Sequence, residues 1–371
     1  IYNEEQYIGK FIMSILAQDY PQESLEVFFV DGGSTDKTIE ILKRYISERR
    51  NMSLLDNPQH TVPYALNKGI AQSGGDIVVR IDAHCIYPSD YITTLVKYLH
   101  ELDADNVGAV WHTVPAKDTA VCHAIAIASS HPFGVGDSKH KIGTKQIMRV
   151  DTVPFGCYRR DVFDKIGLFD TELTRNQDDE FNARLINHGG SIYLIPQLVI
   201  NYTARDTIGK MCRMYYQYGL FKPLVNKKLG HPATVRQFFP MLFLLGIIIG
   251  GILSFFSNII LWMYTAVLAL YILIGMTIGC KYATKLKRPL LAVLMPYVFA
   301  NVHLSYGYGY LRGIYKKMLH FLFTPLGILS CYNRYPLALV IHFQNFQPGS
   351  LHSFYYNIFF IFDNSTCNIY S

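Results

Sequence analysis

From Gln237 to Cys280 the chain carries no Lys, Arg, Asp or Glu, and this stretch is more than twice the ~20 residues that one bilayer-crossing helix needs. A buried core hairpin is the competing reading, but unbroken apolarity on every face argues for lipid. The break falls at Ser254 to Asn258, which predicts membrane helices over 238–255 and 259–279 joined by a short outer turn. Arg205, Lys210, Arg213, Lys222, Lys227, Lys228 and Arg236 precede the hairpin with a single acid, Asp206, and Lys281, Lys285, Lys287 and Arg288 follow it. Basic flanks on both sides put both ends of the hairpin in the cytoplasm.

The same clusters account for much of the net charge of +6 and the pI near 8.8. No aromatic-interleaved basic face is left over for nucleic acid, which is excluded as a partner. Seven cysteines are scattered without a C-x-x-C pair, so neither a zinc site nor a disulfide framework is indicated, and a reducing compartment fits. The chain opens on Ile1 without a signal peptide, and an upstream strand of a longer protein is expected.

Before the hairpin, strands are expected near 25–30, 52–55, 76–82, 107–112 and 191–200. Helical patterns fall near 4–18, 36–49, 63–73, 89–102, 119–129 and 178–188. Alternation of this kind predicts an α/β fold with a mostly parallel sheet covered on both faces. Residues 1–204 form that domain, 205–236 an amphipathic basic segment at the membrane surface, and 237–280 the transmembrane hairpin. Residues 281–318 hold a basic loop and a third hydrophobic stretch (290–311) interrupted by Pro296 and Gly307. Basic residues follow it, so an interfacial or re-entrant helix is expected there. The aromatic tail 319–371 is assigned no function.

Three acidic strings carry the chemistry. LEVFFVDGGSTD, Leu25 to Asp36, ends an apolar strand in Asp31, and Gly32 and Gly33 then let backbone approach a ligand. Ser34 or Asp36 caps the next helix. The string also suits an ordinary turn, but an acid at a strand's carboxyl end is where open α/β sheets bind ligands. DIVVRIDAH puts Asp82 and His84 at a second strand end, beside Asp31 if the sheet is parallel. Such a pair can hold Mg²⁺ or Mn²⁺ against a diphosphate, and imidazole tilts the preference toward Mn²⁺. NQDDEFNARL sets Asp178, Asp179 and Glu180 at a helix start, where N-capping and general-base catalysis are both served.

Y-N-E-E at 2–5, V-D-G-G-S-T-D at 30–36, R-I-D-A-H at 80–84 and Q-D-D-E-F with R-L at 177–185 together resemble family 2 glycosyltransferases of the GT-A fold. The strings S-H-P-F-G-V-G (130–136), V-D-T-V-P-F-G-C-Y-R-R (150–160) and N-Q-D-D-E-F (176–181) resemble especially the bacterial succinoglycan-biosynthesis glucosyltransferases. The resemblance implies an inverting transfer of one sugar, glucose from UDP-glucose, onto a polyprenyl-diphosphate-linked saccharide in exopolysaccharide synthesis. The enzyme would sit in the bacterial inner membrane with its catalytic domain facing the cytoplasm. Nucleotide-sugar contacts are implied for Asn3, Glu5, Asp31, Gly33, Ser34, Asp36, Asn67, Lys68, Arg80 and Asp82. The metal, Mg²⁺ or Mn²⁺, is implied at Asp82 and His84, the base at Asp178, and acceptor contacts at Phe155, Gly156, Gln177 and Asp179.

Two departures stand out: the usual D-x-D is D-x-H here, and the usual glutamate before the base is Gln177. The Q-x-x-R-W string of processive members is absent after Gln217, which points to single additions with Pro132 to Gly136 and Pro154 to Cys157 as acceptor loops. A sugar-phosphate nucleotidyltransferase and a non-catalytic membrane scaffold remain as alternatives.

Overall fold

The computed structural model describes residues 1–47, 49–83 and 85–323; His84 and the tail beyond Phe323 lie outside the described residues. Residues Ile1–Lys317 pack as one unit. Its first element is the helix Ile8–Leu16, whose Ile8, Phe11, Ile12 and Ile15 fall on one face and are buried. That face packs against β1 (Val27–Asp31), which pairs in parallel with β2 (Met52–Asp56), so that Asp31 and Asp56 end the two strands side by side. The helices Thr38–Ile46 and Val62–Gln72 follow these strands.

The remaining strands are β3 (Ile77–Val79), β4 (Cys85–Ile86), β5 (Asn106–Val114), β6 (Met148–Arg149), β7 (Cys157–Arg159) and β8 (Ile192–Thr203). They form a second sheet in the order β3-β7-β5-β8-β4, with β6 also on β8. Here the expected mostly parallel sheet is corrected: every pairing in this sheet except β5–β8 is antiparallel. The cause is β7, three residues returning from a loop to lie between β3 and β5, together with the two-residue β4 and β6 on β8, all too short to show alternation in the sequence. Strand β3 is also shorter than expected, so Asp82 lies in the turn beyond it instead of at its end.

In β8, Pro196 has no N–H to give to the ladder, and the register with β5 slips between Ala109 and Val110. The slip bends the end of β5, where Trp111 stacks on Tyr202 with centroids 4.3 Å apart and on Phe155 at 5.3 Å.

After β8 the chain is helical. The helix Ile208–Leu229 buries Met211, Tyr215, Gly219 and Lys222 on one face. Two helices, Val235–Leu253 (its first turn a 3-10 helix) and Asn258–Leu286, are long and apolar enough to cross a membrane. The turn between them exposes Phe255 and Phe256, and the pair of helices supports membrane association. Residues Leu291–Phe323 form one unbroken helix through Pro296. Its Leu291, Met295, Val298, Phe299 and Val302 pack with Met211 and Tyr215 and with the helix Ala120–Ala128. The crossing is close because Gly219 faces the backbone of Tyr306, and Gly309 that of Tyr216, leaving no room for a Cβ. The last three helices are thereby fixed to the α/β body.

Candidate active site

Asp31 is buried, and its carboxylate is engaged by its own loop. Oδ2 accepts from the N–H groups of Gly33 and Ser34 at 3.0 and 2.9 Å, and Oδ1 from the Ser34 hydroxyl at 2.6 Å. Asp36 accepts from the backbone N–H of Thr38 (3.0 Å) and its hydroxyl (2.5 Å), at the start of Thr38–Ile46. Asn3 and Glu5 brace the same loop: Asn3 Oδ1 accepts from the Thr35 N–H at 2.8 Å, the Asn3 N–H donates to Ser34, and Glu5 Oε2 accepts from the Lys37 N–H at 3.2 Å. Gly33 has φ +83°, and a Cβ there would lie 2.6 Å from the His60 ring, whose Nδ1 is 2.6 Å from Gly32 O. His60, unmarked in the sequence reading, therefore belongs to this loop.

Of the other expected donor contacts, Asn67 has both ends of its amide on the backbone of Phe169, and Lys68 donates to Asp56 O at 2.6 Å. Arg80 is more central. Its guanidinium lies 3.4 Å from Asp82 and 5.4 Å above the Phe155 ring, and it has a buried Nη1 without a partner. Burial opposes its charge, but Asp82 and Asp178 together more than restore it, so it stays protonated. Both Asp82 and Asp178 thus act on Arg80. Asp31 ends β1 in the separate two-stranded sheet, and no pairing joins β1 to β3 among the described residues.

Asp178 opens the helix Gln177–Asn187. Asn182 fixes this helix through bonds to Asn106, Thr152 and Val153 O at 2.8–3.0 Å, and Arg184, paired with Glu180 one turn earlier in the same helix, ties it to Leu168 O at 2.9 Å. Asn176, left-handed at φ 59°, reaches Tyr218 O at 2.8 Å and sets the turn that presents Asp178. Burial first, and the adjacent Asp179 carboxylate second, push the Asp178 carboxyl above the usual range, with Arg80 opposing. Asp179 goes the other way: burial resists its charge, but Lys222 at 2.6 Å, with Arg236 behind it, holds its pKa below the ordinary value.

Asp178 and Asp179 line a cavity of about 540 Å³ that runs to Phe239, Phe243, Tyr271 and His303 on the C-terminal helices. Asp31 and Asp82 lie outside its lining. Of the expected acceptor residues, Asp179 lines it, as do Pro132 to Gly136 and Pro154. Phe155, Gly156 and Gln177 are buried behind it. The sequence reading missed Trp111, Lys141, Lys222 and Arg236. Lys222 and Arg236 had been counted among the membrane-flanking charges, yet they pair with Asp179 and Asp151, each at 2.6 Å.

For a divalent cation, Asp82 is the described donor. Among the described residues no three His, Cys, Asp or Glu side chains gather as a cation cage. The Asp82 oxygens sit 3.4–3.5 Å from Arg80, too far for saturated charge-assisted bonds. One partly free carboxylate fits a hard cation that arrives with phosphate and water ligands.

Residues 1–167 match the profile of "Glycosyl transferase family 2". The chain is 30% identical over 243 residues to the succinoglycan biosynthesis protein ExoA of Rhizobium meliloti, covering 64% of this chain and 72% of that one. It is 28% identical over 326 residues to a dolichyl N-acetyl-alpha-D-glucosaminyl phosphate 3-beta-D-2,3-diacetamido-2,3-dideoxy-beta-D-glucuronosyltransferase of Methanococcus voltae, covering 85% and 95%. Among solved structures, the mannosyltransferase PcManGT of Pyrobaculum calidifontis shares the fold, with a TM-score of 0.52 at 19% identity over 85% of this chain and 86% of its own. The chain belongs to glycosyl transferase family 2 and is a glycosyltransferase.

Proposed function

We propose that this enzyme moves one sugar, with inversion, from a nucleotide diphosphate sugar to a saccharide linked to a membrane lipid. The observation that carries the reading is Asp178: a half-buried carboxylate with a raised pKa, beside the Arg80–Asp82 pair and on the wall of a cavity that reaches the membrane helices. In the single displacement, an acceptor hydroxyl attacks the anomeric carbon opposite the leaving diphosphate and Asp178 takes its proton, so the configuration inverts. Arg80 stays charged beside the reacting centre and supports the negative charge that builds on the departing oxygen.

A divalent cation, Mg²⁺ or Mn²⁺, would be held at Asp82 and would neutralise diphosphate charge; the solved PcManGT complex contains GDP-Man and Mn²⁺. The likeness to a succinoglycan biosynthesis protein supports an exopolysaccharide product, and the motif resemblance extends the reading to a UDP-sugar donor, glucose first. The dolichyl-linked substrate in the Methanococcus relative's name supports a polyprenyl-linked acceptor. The basic flanks support a catalytic domain on the cytoplasmic side of the plasma membrane. Family membership weighs against nucleotidyl transfer.

Asp178→Asn is the test. Turnover is expected to fall by about 10²–10⁴-fold, with nucleotide-sugar binding retained in calorimetry. A folded variant with wild-type turnover would remove Asp178 as base.

A further inference from the structure

A second cavity, of about 520 Å³, shares only Trp111 and Lys141 with the one that holds Asp178 and Asp179. Its wall comes from the carboxyl end of β5, the helix Ala120–Ala128, the chain from Lys141 to Gly143 and the last turn of the helix Asn258–Leu286. Among the described residues that wall carries Lys141, Lys285, His112 and His123 and no Asp or Glu. Lys141 lies 5.9 Å from the Trp111 ring centroid, and neither lysine has an ion pair among the described residues. The carboxylates that act on Lys141, Asp179 and Asp178, line the other cavity, and Asp179 is taken by Lys222 at 2.6 Å. His123 Nε2 is 2.9 Å from Asp118 Oδ1, but Asp118 stands outside the wall and is shared with Arg288. His112 meets the neutral amide of Asn201 at 3.0 Å.

Trp111 adds a donor. Its ring is held by stacking on Tyr202 and Phe155, and its Nε1–H is buried with no acceptor among the described residues. Two unpaired ammonium groups and an unpaired N–H on one wall call for an anion with several acceptor oxygens, which a phosphate supplies and an uncharged sugar does not. The place of the cavity names the source. Lys285 and Leu286 end a helix long and apolar enough to cross a membrane, so the cavity lies where that helix leaves the hydrocarbon. Tyr282, Leu286 and Ile127 give it an apolar side. Basic pockets beside membrane helices at this level take anionic lipid headgroups.

We infer that this second cavity seats the phosphodiester headgroup of an anionic glycerophospholipid, held as a resident lipid and not as a substrate. The phosphate sits between Lys141 and Lys285, and the glycerol with the first acyl carbons rests against Tyr282 and Leu286. The inference needs the helix pair to lie in a membrane and does not need the transfer proposed above. Because Trp111 and Lys141 also line the active-site cavity, the bound headgroup braces one wall of it.

Trp111 is itself the reporter. The chain has two tryptophans, and Trp262 is 75% exposed on the membrane helix, so Trp262→Phe leaves Trp111 as the sole indole. The full chain carrying this change, in an uncharged detergent, is titrated with dihexanoyl phosphatidylglycerol, and binding is read from Trp111 emission and from the phosphorus NMR line width of the lipid. Both signals are expected to saturate at one Kd. Dihexanoyl phosphatidylcholine and inorganic phosphate should each bind at least tenfold more weakly. Lys141→Gln and Lys285→Gln should each raise the Kd for phosphatidylglycerol at least fivefold. Lys285 is exposed, so its replacement leaves the fold intact and decides the matter. Lys281→Gln, one turn earlier on the same helix and outside the wall, should stay within twofold.

Equal affinity for phosphatidylcholine would remove the anionic headgroup. A loss in Lys281→Gln as large as in Lys285→Gln would leave only diffuse surface charge and overturn the seat. Inorganic phosphate binding as tightly as the lipid would make this a soluble-anion site and overturn the lipid. A phosphatidylglycerol titration that moves neither signal would overturn the whole inference, while leaving sugar transfer standing.

Discussion

Replacing Lys222 by Met separates the two aspartates' roles. Lys222 is buried, its Nζ is 2.6 Å from Asp179 Oδ2, and the Asp179 side chain is 27% exposed. Removing one partner of such a pair strands the other, at a cost of about 3–5 kcal/mol; the exposure of Asp179 puts the expected loss near 3. The catalytic effect is distinct. Lys222 also lowers the Asp178 pKa, and the Asp179 carboxylate raises it. Without the Lys222 charge, the Asp178 carboxyl moves further above its ordinary value, in the direction in which burial and Asp179 already push it.

A base must be deprotonated to work, so a higher pKa moves the acid limb of the pH–rate profile to higher pH. In K222M that limb of kcat/KM should shift to higher pH, with acceptor and donor saturating behaviour otherwise retained. Chemical denaturation gives the stability and a pH series with the lipid-linked acceptor gives the limb. Adding Asp179→Asn should bring both back toward wild type, since it removes the stranded charge. A lost ion pair with the limb unmoved, or moved to lower pH, would refute the reasoning: Asp178 would not be the group whose ionisation gates turnover.

Two further outcomes follow from the donor side. Gly33→Val forces a β-branched residue to φ +83° against the His60 ring, so it should cost about 2–3 kcal/mol and weaken nucleotide-sugar binding; a variant within about 0.5 kcal/mol of wild type by denaturant titration would remove His60 from this loop's packing. Chelation with EDTA should abolish turnover and Mn²⁺ restore it, while Asp82→Asn should need much more Mn²⁺ for the same rate; an enzyme indifferent to the chelator would take the cation out of the mechanism.

Periodicity located six of the nine α-helices described before Ile208, most clearly Ile8–Leu16 with its buried stripe of Ile8, Phe11, Ile12 and Ile15, and not the short helices Pro132–Val135, Lys139–Ile142 and Asp161–Ile166. It could not locate β7, whose Cys157, Tyr158 and Arg159 carry no alternation and are held by neighbours distant in the chain. Missing β7, together with the two-residue β4 and β6, is what made the sheet look parallel. The acids at 31, 82 and 178 are visible as strings, and of these Asp178 lines the cavity while Asp31 and Asp82 lie outside its lining. The loop bonds of Asp31, however, depend on where its own backbone amides turn, which spacing does not reveal.

The basic residues show where linear reading fails and what it overlooked. A surplus of Lys and Arg before a hairpin counts toward membrane orientation whether or not each side chain faces lipid, so Lys222 and Arg236 were absorbed into that count. A period was nonetheless present: Tyr215, Gly219 and Lys222 lie at i, i+4 and i+7, and all three are buried on one face of Ile208–Leu229. A lysine on the apolar stripe of an amphipathic helix demands an anion, and it finds Asp179, next in sequence to the proposed base Asp178. On that proposal the helix serves the chemistry as well as the anchor: Gly219 seats it on the Leu291–Phe323 helix, and three residues later Lys222 holds the charge of Asp179. Loosening the membrane helices should consequently change the acid limb of catalysis and not merely the amount of folded enzyme, a coupling that an anchor tethered by a flexible linker would not produce.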